Sequence, residues 1–134
     1  MTFVLDSSVA LSWCFQDEVS AATLQIRERL SAERAVVPSL WLLEVANVLT
    51  LGIRRGRLTA ETAAEFADLL VGLPIDVADP ERRLTDLMGL ANEHGLTAYD
   101  AAYLQVAVAR GLPLATLDAT LAEAARAAGV TLLA

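Results

Sequence analysis

The chain has 134 residues, of which 55% are hydrophobic, and carries a formal net charge of −7. This length predicts one domain over residues 1–134, able to bury a core without disulfides or a structural metal. No apolar run approaches the ~20 residues of a membrane span, and the acidic balance argues against holding nucleic acid by a global positive field.

The hydrophobic fraction leaves two readings open. The chain could expose an apolar patch for association with a protein partner, or it could have a core rich in alanine and leucine. Its start lacks the layout of a secretory signal, and the single Cys14 cannot form an internal disulfide. We therefore expect a cytoplasmic protein in which Cys14 belongs to the core.

Short apolar runs alternate with helical sequence along the chain. Five runs predict strands, because each is brief and bounded by turn residues. They are residues 3–5, 34–38, 75–78, 112–117 and 130–133. Helices are predicted at 9–15, 20–30, 39–52, 59–70, 81–93, 97–110 and 119–128. Near-continuous apolar strands separated by helices indicate an α/β fold, with a mostly parallel sheet covered on both faces.

Polar residues at the helix starts predict caps, since a side-chain oxygen there can accept a hydrogen bond from an unpaired backbone N–H. The predicted caps are Ser7 or Ser8, Ser39, Thr59, Asp79, Thr97 and Asp118. Gly95 and Gly111 are predicted to end the two helices that precede them.

Glu44 is the only acid within the apolar stretch from residue 36 to 49. On a helix it shares a narrow polar edge with Asn47, so its carboxylate is expected to point toward other protein. Moving a lone carboxylate out of water is costly unless it is paired, protonated or bound to a metal. Glu44 therefore requires a partner that is distant in sequence.

Three more acids, Asp6, Asp100 and Asp118, stand where an apolar run meets a helix start. The first and last follow strands, and ligands of parallel sheets bind beyond the carboxyl ends of the strands. Each acid has an ordinary role as well, since these two can cap helices and Asp100 can complete a capping box with Thr97. Together with Glu44 they form a set of oxygen ligands for a hard cation such as Mg²⁺ or Mn²⁺, which suits phosphoryl transfer.

Several other chemistries are excluded by composition. All ten basic residues are arginine, which removes lysine-containing phosphate loops and Schiff-base catalysis. The single His94 precedes Gly95 at a helix end, where it has a structural role. Arg54, Arg55 and Arg57 end the long helix, where they could complement its dipole or contact phosphate.

Four segments of the chain carry these acids. They are Phe-Val-Leu-Asp-Ser-Ser at 3–8, Leu-Leu-Glu-Val-Ala-Asn at 42–47, Thr-Ala-Tyr-Asp-Ala-Ala-Tyr at 97–103 and Leu-Ala-Thr-Leu-Asp at 114–118. In this order they resemble the PIN-domain ribonucleases and, more narrowly, the VapC-type toxins of toxin-antitoxin modules. The resemblance covers essentially the whole chain and implies a PIN-like three-layer α/β/α sandwich. Its five-stranded, mostly parallel sheet would have the order 3-2-1-4-5.

The resemblance also implies which residues form the site. The acidic quartet that would hold one or two Mg²⁺ ions, with Mn²⁺ as a substitute, is Asp6, Glu44, Asp100 and Asp118. The candidate supporting residues are Thr116, Asn47 and Ser7. Strand packing is an alternative role for Thr116, and solvent exposure is an alternative for Asn47.

The implied activity is metal-assisted hydrolysis of RNA phosphodiester bonds, with Asp100 or Asp118 steering or deprotonating the attacking water. The implied partners are RNA and a cognate VapB-type antitoxin. The high hydrophobic fraction additionally predicts that the chain forms a homodimer. Two other functions fit the sequence. One is an RNA-processing PIN nuclease without an antitoxin, and the other is a non-catalytic interaction module that keeps the fold.

Overall fold

The computed structural model describes residues 2–133. In this range four strands form one parallel sheet of order β3-β2-β1-β4, which confirms the predicted α/β class. The strands are β1 (Thr2–Leu5), β2 (Arg34–Val37), β3 (Ile75–Val77) and β4 (Leu114–Ala115). The helices are α1 (Ser7–Ser12), α2 (Ala21–Arg29), α3 (Leu40–Arg54), α4 (Ala60–Val71), α5 (Leu84–His94), α6 (Ala98–Arg110) and α7 (Ala119–Ala127).

The central strand β1 shows that helices cover both faces of the sheet. Phe3, Val4 and Leu5 are all fully buried. Successive side chains of a strand point to opposite faces, so burial of three in a row requires a layer on each side. This is the three-layer arrangement that the sequence predicts.

The predicted fifth strand, residues 130–133, is wrong as a strand. Within residues 2–133 it contributes one isolated bridge, from Leu132 to Leu114, with flanking hydrogen bonds of 2.9 and 3.0 Å to Leu114. Strand β4 has only two residues, and Ala115 directs its C=O to the Asp6 N–H on the side of β1, so only Leu114 is available for pairing at the outer edge. The segment therefore lies beside β4, as the order 3-2-1-4-5 predicts, without adding a strand to the sheet.

Three predicted caps are confirmed by hydrogen bonds from the backbone N–H three residues further on. They are Thr59 of α4, Thr97 of α6 and Asp118 of α7. The predicted helix ends at Gly95 and Gly111 are also confirmed, because both glycines take the left-handed conformation, with φ of 65° and 62°.

The predicted caps of α3 and α5 are wrong. Ser39 has helical backbone angles, and in the described chain its side chain makes no cap bond to α3. Helix α5 begins only at Leu84, and Asp79 instead accepts a hydrogen bond from the Ser39 N–H at 3.0 Å. Asp79 therefore tethers its loop to the start of α3 instead of starting its own helix.

The apolar residues are divided between a core and the surface, so both readings of the hydrophobic fraction hold in part. The core includes Tyr103, the largest of the fully buried side chains, and the partly buried Cys14 packs against it. Large apolar side chains are nevertheless exposed on five helices, α2 to α6, including Leu43 (74%), Val71 (85%) and Leu84 (75%). None of the helices in residues 2–133 has the length and apolar character that crossing a bilayer requires.

Candidate acidic site

The site lies at the carboxyl-terminal edge of β1 and β4. The register pairs Leu5 with Ala115, so the residues that follow these strands, Asp6 and Thr116, meet there. Thr116 Oγ1 donates to Asp6 Oδ2 at 2.7 Å and accepts the backbone N–H of Asp118 at 3.0 Å. Thr116 is buried and links the first acid of the chain to the last.

Two serines after Asp6 bind the acids instead of capping α1. Ser8 Oγ donates to Asp6 Oδ2 at 2.6 Å and accepts the Leu117 N–H at 3.0 Å, while Ser7 Oγ donates to Glu44 Oε1 at 3.2 Å. The predicted serine cap is wrong, because α1 begins at Ser7 itself and Asp6 occupies the cap position. The predicted contact of Ser7 with the site is present.

Glu44 has a second donor, Tyr103, which the sequence analysis missed as a site residue. The Tyr103 hydroxyl donates to Glu44 Oε1 at 2.5 Å, and the tyrosine is fully buried. A signal was available, because a buried tyrosine hydroxyl needs a partner and Tyr103 lies three residues after Asp100, on the same side of a helix.

The surroundings of Glu44 on α3 differ from the prediction of a narrow polar edge. Leu42 and Leu43 beside it are exposed. Asn47 is exposed as well, and no hydrogen bond within residues 2–133 joins its side chain to the acids. The structure therefore brings Glu44 to the site, but it does not bring Asn47 into contact with it.

Asp100 lies in the first turn of α6, where its backbone N–H donates to Thr97 Oγ1 at 3.1 Å. The reciprocal bond of a capping box, from the Thr97 N–H to the Asp100 carboxylate, is not formed among the described residues. Burial raises the pKa of Asp100 to about 6, and the negative charges of Asp118, Asp6 and Glu44 contribute to the rise. Asp100 is therefore close enough to the other three acids to be affected by their charges.

Asp118 differs from the other acids because one of its two carboxylate oxygens caps a helix, as the sequence predicts. Its Oδ1 accepts the Leu121 N–H at 2.9 Å and caps α7, which leaves the second oxygen for the site.

The remaining two acids are destabilised as anions by their surroundings. Burial is the main cause that raises the pKa of both Asp6 and Glu44, and the charge of another acid adds to each shift. The hydroxyl donors act in the opposite direction, because hydrogen bonds to a carboxylate favour its charged form. Among residues 2–133, no arginine or histidine lies within 4.0 Å of any of the four acids.

The residues present fit a hard divalent cation by chemistry and charge. The donors are all oxygen, and they carry negative charge that no nearby base neutralises. At Asp6 and Glu44, both hydroxyl bonds of each carboxylate end on one oxygen, Oδ2 and Oε1 respectively. In the described chain, however, no three acidic, histidine or cysteine side chains form a ready-made metal cluster. A cation would have to draw the carboxylates together.

The arginines at the end of α3 lie away from this site. Arg54 is the last residue of the helix, about 15 Å along its axis from Glu44. Arg57 contacts Asp17 at 2.8 Å and Glu18 at 3.0 Å. Its guanidinium also lies 3.9 Å from the centre of the Phe15 ring, so Arg57 holds together two loops of the fold.

Comparison with known proteins gives consistent matches. The model of the PIN domain family matches residues 3–127. The chain is 37% identical over 118 residues to Ribonuclease VapC3 of Pyrobaculum aerophilum, which covers 80% of this chain and 90% of that protein.

Two solved structures have similar folds. PAE2754 from Pyrobaculum aerophilum matches with a TM-score of 0.72 and 26% identity, covering 92% of this chain and 84% of that one. VapBC2 from Rickettsia felis, bound to a DNA fragment from its promoter, matches with a TM-score of 0.68 and 15% identity, covering 98% and 97%. At 15% identity the second match shows the fold alone.

Proposed function

Because the chain belongs to the PIN domain family, we propose that it is a Mg²⁺-dependent ribonuclease and the toxin of a toxin-antitoxin module. Its relative at 37% identity is a VapC ribonuclease by name. One observation carries the proposal. Asp6, Glu44 and Asp100 come from distant parts of the chain, have raised pKa values and have no basic partner among residues 2–133.

The acidic quartet would hold Mg²⁺, with Mn²⁺ as a substitute. When bound, the cation would neutralise charge on the scissile phosphate and make water a better nucleophile. Thr116 and Ser8 orient Asp6 through its Oδ2. Steering or deprotonation of the attacking water would fall to Asp100 or Asp118, which lie at the starts of α6 and α7.

The test is RNA cleavage by the purified protein on defined pools of transfer, ribosomal and messenger RNA. We expect cleavage with Mg²⁺ or Mn²⁺, and none in EDTA. Asp100→Asn should lower the rate by orders of magnitude while the fold persists. The matched control is Asp68→Asn at an exposed acid of α4, which should cut like the parent. Undiminished cleavage in EDTA, or in Asp100→Asn, would contradict the proposal.

We further propose a VapB-type antitoxin and a second copy of the chain as partners in the cytoplasm. The similar fold of VapBC2 supports the antitoxin. The exposed apolar residues of α3 and α4 support association, since Leu42 and Val71 flank an apolar groove of about 240 Å³.

The partner proposal is tested by co-expressing the product of the adjacent small gene. It should protect growth and co-purify with this chain, and light scattering should give the mass of a dimer for the chain alone. If the adjacent product neither protects nor co-purifies, the antitoxin is wrong, and an RNA-processing nuclease becomes the better reading.

A further inference from the structure

The hydrogen bonds of Glu44 are concentrated on one of its two oxygens. Oε1 accepts from the Tyr103 hydroxyl at 2.5 Å and from Ser7 Oγ at 3.2 Å. Among the described residues, no side chain donates to Oε2. Two donors from different helices that converge on one oxygen fix the rotation of the carboxylate and so decide where the other oxygen points.

Tyr103 is the more rigid of these donors. Its side chain is fully buried, so the packing of the core holds the ring and the hydroxyl cannot move far. It also lies on α6, one turn after Asp100, while Glu44 lies on α3. The Tyr103 bond therefore sets the position of an acid on one helix relative to an acid on the other.

We propose that Tyr103 is a positioning residue of the nuclease site, which holds Glu44 by Oε1 so that Oε2 is presented to the divalent cation. This inference rests on the proposed function and deepens it. Tyr103 acts through Glu44 and does not itself touch the cation or RNA. The alternative is that Tyr103 is only a core tyrosine whose hydroxyl has found an acceptor.

Cation binding by the metal-free protein separates these roles, with calorimetric titration of Mn²⁺ as the readout. Tyr103→Phe removes the hydroxyl and keeps the ring, and it should weaken Mn²⁺ binding by about tenfold, the lower end of the loss seen when a partner of a metal ligand is removed. The matched control is Tyr99→Phe, at the exposed second tyrosine of the chain, which should bind Mn²⁺ like the parent. Thermal unfolding in EDTA checks that each variant is folded.

A double-mutant cycle tests whether Tyr103 acts through Glu44. In a Glu44→Gln background, Tyr103→Phe should change the Mn²⁺ affinity by less than about twofold, because residue 44 then no longer supplies the carboxylate through which Tyr103 acts. Ser7→Ala removes the longer bond without opening a cavity under the core, and it should also weaken Mn²⁺ binding. This variant keeps the test available if Tyr103→Phe is unstable.

The outcomes distinguish the inference from the proposed function. If Tyr103→Phe and Ser7→Ala both bind Mn²⁺ like the parent, and the parent cuts RNA only with the cation, the positioning role is wrong and the ribonuclease stands. Equal losses in the parent and Glu44→Gln backgrounds would also overturn it, because the effect would then not pass through Glu44. If the parent binds no Mn²⁺ and cuts RNA in EDTA, the proposed function fails.

Discussion

Asp100 gives the metal-free protein a pH dependence whose sign follows from its raised pKa. Folding moves this pKa from 3.8 to about 6, so the folded state holds the proton more tightly than the unfolded state. The resulting stability is present below pH 3.8 and is lost as the pH rises toward and through 6. We expect the free energy of unfolding in EDTA to fall between pH 4 and 7, by about 1 kcal/mol after allowance for solvent screening.

Urea unfolding across this range checks the prediction, and Asp100→Asn should make the curve shallower, while the raised pKa values of Asp6 and Glu44 leave part of the slope. The lowered pKa values of Asp76 and Asp79 do not interfere, because acids of that kind lose their stabilising effect below pH 3.8. A parent protein that becomes more stable from pH 4 to 7 would show that Asp100 is not destabilised as an anion.

Glu44→Gln should stabilise the metal-free protein and weaken its response to metal. Glutamine keeps an oxygen that accepts from Tyr103 and Ser7, but it does not carry the charge that burial and Asp6 disfavour. The parent should gain about 1.4 kcal/mol from Mg²⁺ at tenfold excess over its dissociation constant, and the variant less. Thermal unfolding of both proteins, with EDTA and with Mg²⁺, measures this. A destabilised variant with an intact Mg²⁺ shift would make Glu44 a structural residue.

At the scale of single elements, the cap of α6 links stability to the site. Thr97 accepts the Asp100 N–H, so Thr97→Ala should cost about 1 kcal/mol and also slow RNA cleavage by releasing the turn that carries Asp100. Thr59 caps α4 by the same kind of bond, to Thr62, and has no acid of the site in its turn. Thr59→Ala should therefore cost a similar amount in thermal unfolding and leave cleavage unchanged. Equal activity of the two variants would show that the cap does not hold Asp100 in place.

Local signals in the sequence were sufficient for most elements. Apolar runs and turn residues marked the four strands, and Thr59, Thr97 and Asp118 marked helix starts, because these features act within a few residues. The errors come from contacts between distant segments. Asp79 accepts the backbone N–H of Ser39 at the start of α3. Whether residues 130–133 form a fifth strand depends on the length of β4, with which they make one bridge. No local pattern contains that information.

At the site, too, local sequence features predicted some residues, while contacts between distant segments were not predicted. The four acids were predicted as site residues because each stands at an informative local position and because the segments resemble a known family. Which hydroxyl donates to which carboxylate depends on how the helices pack, so the structure was needed to assign Tyr103 to Glu44 and Ser8 to Asp6. Asn47 shows the reverse error, since it lies one turn from Glu44 but makes no contact with the acids within residues 2–133.

For the whole molecule, the arginines limit how RNA can be held. Four of the ten form ion pairs with acids, at separations between 2.7 and 3.3 Å, and their charge is partly used within the fold. They are Arg29, Arg34, Arg57 and Arg82. The other six have no acid within 4.0 Å among the described residues. They are Arg27, Arg54, Arg55, Arg83, Arg110 and Arg126. With a net charge of −7, attraction of RNA over long distances is not expected.

The salt dependence of RNA binding should reflect this shortage of free positive charge. Each phosphate contact to single-stranded RNA contributes about −0.7 to the slope of log affinity against log salt, so contacts from all six arginines would give roughly −4. These residues are spread over four helices, the cap position of α5 and the turn after α3, so we do not expect one strand to contact them all, and we expect a slope shallower than about −3. Fluorescence anisotropy with the inactive Asp100→Asn variant, Mg²⁺ and increasing KCl measures it.

Replacing an arginine that contacts RNA with serine should reduce the slope by about 0.7, and replacing one that does not should leave it unchanged. A slope steeper than about −4 would require more phosphate contacts than these six arginines supply, and arginines that form ion pairs within the fold would then have to contact RNA.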